Sequence, residues 1–360
     1  MANISDKILD QITGHSVDLL RLDASLRKDV LKELKTLQKN LVEELEKQKL
    51  HLIKRTPFQM RRLEKMLKQT KTTIRSAYYK IDKLEDKQLA GLAKVAEAQA
   101  VSSINTALKV QTLSTGMSVE MLAAIATDTL IEGAPSKEWW GRQAGNLELK
   151  FKNTIRQGLL QGKTTDQIVQ RVRGTRANKF KDGIMEATRR QAEALVRTSV
   201  QVVANEARMR TYEANNDLVK GVEWVSTLDS RTSTTCQALD GLMWDNNRRP
   251  IGHDIDFPGA TAHWNCRSSQ ISVLKGWGEL GVDKKHLSKL PQGTRASMDG
   301  QVSKGLNYED WLRSKPESFQ KEALGVGKWK LWKKGKVGFT DLLDQSGNPL
   351  SLEQLQDKFT

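Results

Sequence analysis

The sequence predicts a mainly α-helical protein with a small α+β domain at its centre: long N-terminal helices, a short-stranded hairpin module and a small helical C-terminal region. Three observations predict this. Apolar residues recur every three or four positions through most of the first hundred residues, the period switches to two after Asn216, and helical spacing returns in short pieces beyond about Gly293. Those changes divide the chain into a helical arm or bundle (1–130), a linker (131–146), the central domain (147–280) and a helical extension (281–360).

From Ser16 to about Ala107 glycine and proline are nearly absent. Leu19, Leu22, Leu26, Val30, Leu34, Leu37, Leu41 and Leu45 form one face of a long amphipathic helix, with Lys, Glu, Asp and Gln between them. Thr56-Pro57 breaks the run, because proline lacks an N–H and biases the preceding residue away from helix. A second helix carries Met60, Leu63, Met66, Leu67, Ile74, Tyr78, Ile81 and Leu84, and an Ala-rich third runs from Leu89 to Leu108. Antiparallel bundle or extended hairpin both fit this pattern.

Gly133, Pro135, Gly141 and Gly145 mark residues 131–146 as a turn-rich joint, with Trp139 and Trp140 needing burial inside it. Leu147 to Leu160 is helical, Gly158 and Gly162 mark its end, and Thr165 caps a short helix from Asp166 to Val172. A longer helix spans about Asp182 to Asn215. Beyond it Lys220 to Leu228 alternates as a strand does, and Leu242 to Asp245 and Ser268 to Leu274 are further short strands. The tail holds short helices at Asn307 to Arg313, Pro316 to Leu324, Lys328 to Lys334, Phe339 to Leu343 and Ser351 to Phe359.

Lys and Arg number 58 against 43 Asp and Glu, a net charge of +15, which favours polyanionic partners through counterion release. Two cysteines in 360 residues cannot build a disulfide framework. No run approaches the roughly 20 apolar residues of a bilayer span, so no stable membrane anchor is expected. The N-terminus MANISDKILDQ lacks a signal-peptide layout, which predicts a protein made and kept in a cytoplasm.

The strongest polyanion footprint lies between Arg55 and Lys83, where Arg61, Arg62, Lys65, Lys68, Lys71 and Arg75 outweigh Glu64 and Asp82. The competing reading is a solvated helix face, since only Tyr78 and Tyr79 interleave the cations for base stacking. Trp329 and Trp332 among the tail lysines have two readings as well, base or membrane-interface contact and packing in a small core.

The densest chemistry lies between Trp224 and Arg267. Cys236, His263 and Cys266 are zinc-ligand types, with His263-x-x-Cys266 at finger-like spacing. A complete set wants a cysteine near Ser233; His253, Asp254, Asp256, Asp240 or water are the other fourth candidates. A metal-free core with two reduced cysteines and no cofactor, a structural zinc, and a thiol nucleophile assisted by His263 with Asn265 nearby are the three readings. Asp229 and Arg231 sit where a carboxylate and a guanidinium brace a turn, and Arg267 can bridge back to Asp229 or Asp240.

These residues carry a resemblance. Arg197-Thr198, Asn205, Ala207-Arg208, Val222-x-Trp224-x-Ser226-Thr227-x-Asp229-x-Arg231-Thr232, Cys236, Leu239-Asp240-Gly241 and His263-x-Asn265-Cys266-Arg267-Ser268 are ordered and spaced as in the Mu F-like minor head proteins of tailed bacteriophages. The chain resembles that phage head morphogenesis family over about residues 150–275. Arg295 to Gly300, Tyr308-x-Asp310-Trp311-Leu312 and Leu324 to Lys328 through Trp332 resemble extensions found on some members. The N-terminal helices carry no such resemblance.

The resemblance implies a structural minor virion protein, present in few copies in the procapsid near the portal, with a role in head assembly, DNA packaging or ejection. It implies the portal and the major capsid or scaffolding proteins as partners, with non-specific contact to packaged double-stranded DNA, in a virion built in a bacterial host. Many members carry Cys-x-x-Cys after the Asp-x-Arg turn, and Ser233 stands at the first of those positions here, which lowers the zinc reading. The family is not generally enzymatic. Two alternatives remain beside it: a sequence-independent DNA-binding or ejection protein, and a zinc- or thiol-dependent hydrolase or nuclease.

Overall fold

Leucine stripes and the scarcity of helix breakers shape the first half of the molecule. The computed structural model describes residues 4–47, 57–108, 116–276, 294–303 and 305–359. Six helices come first: α1 (Ile4–Lys47), α2 (Pro57–Leu108), α3 (Val119–Asp128), α4 (Ser136–Leu160), α5 (Thr165–Arg173) and α6 (Ile184–Ala214). Then follow β1 (Val219–Val225), α7 (Thr234–Leu239), β2 (Met243–Asp245), β3 (Pro250–Ile251), β4 (Ser269–Leu274), β5 (Thr294–Ser297) and β6 (Gly300–Ser303). The chain ends in α8 (Tyr308–Arg313), α9 (Glu317–Leu324), α10 (Val326–Lys333), a 3-10 turn at Thr340–Leu342 and α11 (Leu352–Phe359). The fold is mainly helical with a small antiparallel sheet, as the patterning predicts.

Two compact units form from separated stretches of chain. One comprises Arg21–Gly91 and Ala126–Val200, the other Met1–Leu20, Leu92–Ile125 and Gln201–Thr360. In the first, the α1 stripe is buried from Leu26 through Val30, Leu34, Leu37, Leu41 and Leu45, as are Leu63, Met66, Ile74, Tyr78 and Ile81 of α2. Gly158 lets α4 approach α5 closely, since a Cβ there would stand 2.6 Å from Ile168 Cγ1. Thr164 caps α5 in a reciprocal box with Gln167, one residue before the cap expected from the sequence.

Two expectations for the helices are corrected. The second and Ala-rich helices are one, α2; Thr56 lies outside the described residues, and Pro57 opens α2, where its missing N–H costs nothing. No glycine or proline lies between Leu84 and Leu89, and Gly91, inside the Ala-rich piece, costs only about 1 kcal/mol relative to alanine, too little to stop a helix whose Leu89, Leu92, Ala93 and Ala96 are buried. The turn-rich joint at 131–146 is helical from Ser136. Trp140, Ala144, Leu147 and Phe151 supply a buried stripe at helical spacing, while Gly141 and Gly145 fall on the exposed side.

That unit also buries an acid. Glu85 accepts a hydrogen bond from Trp140 Nε1 at 2.6 Å. Burial pushes its carboxyl up to about 7, against the downward pull of the Trp140 hydrogen bond.

The other unit is built on a four-stranded antiparallel sheet in the order β3-β2-β1-β4. Val222 of β1 pairs with Trp244 on one side and Ser272 on the other. Gly221 is required there, because a Cβ would lie 2.0 Å from the Trp244 carbonyl oxygen. Met209 and Tyr212 of α6, Ala100 and Ile104 of α2, and Cys236 and Leu239 of α7 join Trp224, Trp244 and Ile271 in one core. The period-two reading located β1, β2 and β4 within a few residues. It missed β3, which is two residues long, and the β5–β6 hairpin, whose sequence is polar.

A second core in this unit gathers Leu228 with Tyr308, Trp311, Leu312, Leu324, Leu331, Trp332, Phe339 and Leu355. Trp332 is buried and its Nε1 donates to Glu309, while Trp329 Nε1 donates to Gln320. Both indoles are therefore used in packing.

Candidate functional site

Strand β1 runs into the turn that carries the site. Thr232 Oγ1 donates to the Thr227 carbonyl (2.6 Å) and to Asp229 Oδ1 (3.1 Å), closing a tight loop before α7. Arg267 grips the Asp229 carboxylate with two parallel hydrogen bonds of 2.7 Å each. Burial would push the Asp229 carboxyl up. The hydrogen bonds and charge of Arg267, with Thr232 and the Arg231 amide, outweigh that and hold it at about 2.

Arg231 does not share this grip. Its side chain is 80% exposed and reaches Asp229 only at 3.4 Å, whereas its backbone N–H donates to Asp229 Oδ1 at 3.0 Å. Two residues along the chain, the guanidinium meets only the edge of a carboxylate already occupied by Arg267.

Asp240 anchors a second ion pair that the sequence reading left unassigned. Arg295 of β5 donates to both Asp240 oxygens, at 2.7 and 2.9 Å, and also to the Ser226 and Leu306 carbonyls. The Ser226 and Tyr308 amides complete the shell of Asp240, each at 2.7 Å. Gly241 follows with φ of +82°, a left-handed turn that brings its N–H to the Trp224 carbonyl. Tyr308 meanwhile donates its hydroxyl to the Asp229 carbonyl at 2.9 Å. Asp240 through its carboxylate and Asp229 through its backbone carbonyl thus tie the turn to residues beyond 290. Arg295 already stood in the resembling Arg295–Gly300 run, but without distances nothing linked it to Asp240.

The sulfur and imidazole groups converge beside these clamps. Ser233 caps α7, its Oγ accepting from the Cys236 N–H at 3.2 Å. His263 Nε2 lies 2.7 Å from Ser233 Oγ and 3.1 Å from Cys236 Sγ, and Cys236 Sγ lies 3.6 Å from Cys266 Sγ. The ligand atoms of Cys236, His263 and Cys266 all lie within 4.8 Å of one another, the one such cluster among the described residues. Asn265, with φ of +61°, reverses the chain so that Cys266 N–H bonds the His263 carbonyl.

His263 Nδ1 faces the Trp264 carbonyl at 2.8 Å, which places its proton there and leaves the Nε2 lone pair toward the sulfurs. The hydrogen bond between the two thiols lowers Cys236 and, with burial, raises Cys266 well above the ordinary range. Of the other fourth-ligand candidates, Asp240 is held by Arg295 and His253 faces the Met243 carbonyl at 2.9 Å.

Asn205 and Arg208 support this site from α6. Asn205 Nδ2 donates to the Ala260 (2.7 Å) and Ser268 (3.1 Å) carbonyls, and Gln201 adds a 2.9 Å bond to Ser268. Buried Arg208 donates to Asn205 Oδ1 at 3.1 Å. Trp224 is fully buried on β1. Arg197 belongs to the other compact unit and lies 3.8 Å from Asp23 there. The basic run on α2 is also in that unit: Lys71 and Arg75 pair with Glu148 at 3.0 and 3.6 Å, while Arg61, Arg62, Lys65 and Lys68 are exposed.

Residues 149–271, about a third of the chain, match the family described as Phage Mu protein F like protein. The match spans the turn, both acids, all three metal-type ligands and Arg267. It bears out the resemblance read from the sequence and makes this segment similar to proteins of phage head morphogenesis. No curated protein and no solved structure matches the chain. No described helix is long and apolar enough to cross a membrane.

Proposed function

We propose that this protein is a structural minor head protein of a tailed bacteriophage, acting in head morphogenesis beside the portal. The observation that carries the reading is the match over residues 149–271, which coincides with the clamped turn. Polar groups of the clamps bind one another: Asp229 is taken by Arg267 and Asp240 by Arg295. Such chemistry braces a surface for docking to portal, shell or scaffold, and no catalytic residue is assigned. Cys236 lies beside His263, as a nucleophile beside its base would, but its 2% exposure supports a structural role for the pair.

The test is a phage lacking the gene for this chain. Heads that are aberrant or non-infectious, with this protein cross-linking to the portal in purified wild-type procapsids, are expected. Normal titre and absence of the protein from procapsids would overturn the proposal.

A second reading adds contact with packaged DNA. It is favoured by Arg61, Lys65 and Lys68, exposed at helical spacing on one face of α2. Each of these cations that meets a phosphate contributes about one unit of log-log salt slope. The triple substitution R61E/K65E/K68E should therefore flatten the salt dependence of binding to random duplex; an unchanged slope removes this reading.

A further inference from the structure

We propose that Cys236, His263 and Cys266 hold one thiophilic divalent ion, zinc by their chemistry, with the Ser233 hydroxyl at the fourth corner. Two short turns build the site. Ser233-Thr234-Thr235-Cys236 opens α7, and His263-Trp264-Asn265-Cys266 bends through the left-handed Asn265, so each turn presents two side chains to a common point. Bonds of about 2.3 Å to sulfur and about 2.0 Å to nitrogen place tetrahedral ligands roughly 3.8 Å apart for two sulfurs and roughly 3.5 Å apart for sulfur and nitrogen. The observed separations are 3.6 Å between the sulfurs and 3.1 Å between Cys236 Sγ and His263 Nε2, so these two pairs need a few tenths of an ångström of opening, and all three ligand atoms lie within 4.8 Å of one another.

The surroundings suit a metal better than a network of hydrogen bonds alone. The Ser233 hydroxyl and the Cys236 thiol both face the single lone pair of His263 Nε2, and one lone pair cannot serve two donors well. An ion at their midpoint takes that lone pair and both sulfurs together. The His263 Nδ1–H to Trp264 carbonyl bond is the outer-shell contact that fixes a ligating imidazole. Loading releases the two thiol protons to solvent and none from the neutral imidazole, which leaves two thiolates balancing the dication. The ion ties the N-terminus of α7 to the loop before β4, the same pieces that Asp229 and Arg267 join. This inference goes beyond the head-protein reading and is tested without a virion.

The experiment uses the untagged full-length chain, stripped with chelator and titrated with Co²⁺ and then Zn²⁺. One Co²⁺ per chain with thiolate-to-cobalt charge transfer and tetrahedral d–d absorption is expected, displaced by zinc. Cys266→Ser should weaken or abolish the charge-transfer band. Because that variant can lose binding simply by misfolding, Ser233→Cys is the decisive second arm: a third thiolate should tighten zinc binding about tenfold or more and intensify the cobalt band. Wild-type protein without the cobalt bands, or Ser233→Cys with affinity unchanged, overturns the proposal.

Discussion

Asp240 and Glu85 are both acids withdrawn from water, and the molecule treats them in opposite ways. Asp240 meets a guanidinium and two backbone amides. Glu85 meets the indole N–H of Trp140, a neutral donor, and its carboxyl rises to about 7. Burial raises the cost of a carboxylate in either place. Arg295 lies within hydrogen-bond reach of Asp240, whereas Glu85 has only neutral donors, Trp140 with Ser136 and Ser199, which offset part of the cost of its burial. One compact unit therefore rests on ion pairs around a β-turn, and the other on apolar helix faces that tolerate one neutral acid.

The largest way to break this contrast is Asp240→Ala. It strands the Arg295 guanidinium, whose side chain is 5% exposed, and two amides, so we expect a loss of about 3–5 kcal/mol in denaturant unfolding. A loss under about 1 kcal/mol would mean that water or the Ser226 and Leu306 carbonyls already satisfy Arg295.

Asp229→Asn should cost somewhat less, about 2–3 kcal/mol at neutral pH, because Arg267 retains partial exposure. It also carries a pH signature. The folded carboxyl gives up its proton at about 2 and the unfolded one near 3.8, so the unfolded state binds more protons in between. Stability from this group is full above about pH 5 and drains away as pH falls toward 2. The Asn variant should lose that part of the acid limb in melts taken between pH 5 and 2.

Glu85→Gln sharpens the opposite case. The unfolded carboxyl ionises near 4.5 while the folded one holds its proton to about 7, so here the folded state binds more protons. Stability falls as pH rises between those values. Glutamine keeps an acceptor for Trp140 Nε1 and cannot ionise. The variant should be about 1–3 kcal/mol more stable than wild type above pH 7 and nearly equal to it near pH 4. Parallel wild-type and variant curves across that range would show that Glu85 ionises normally.

The smallest expected change is Thr164→Ala, which removes the α5 cap and should cost about 1 kcal/mol with no pH dependence. A pH-dependent loss would mean that the capping box is coupled to a titrating group.

Helix periodicity was highly legible because a long leucine stripe has one stable use. Every α1 leucine named from the sequence between Leu26 and Leu45 is buried. The turn-rich joint expected at 131–146 gives way to helix because glycine is a weak local signal, and Trp140 and Phe151, packed on the other face, overrule it. Cys236, His263, Cys266, Asp229 and Arg267 were all legible as a cluster, since rare residue types stand out in a short span. Their pairing is legible only as alternatives, with Arg267 free to reach Asp229 or Asp240 and Arg231 beside Asp229. Arg231 is nearer to Asp229 in sequence and Arg267 is the true partner, because loop 252–268, held by Asn205, returns Arg267 to the turn.

The amino-acid order alone settled the helical class, the switch to strands after Asn216 and the residue types of the candidate centre, all local properties of spacing and composition. Tertiary structure alone decided which arginine neutralises which acid, that Ser233 faces His263, and that Glu85 lies beside Trp140, 55 positions away. Each of those depends on chain segments meeting across long loops, and the charge state of a buried group follows from whatever meets it there.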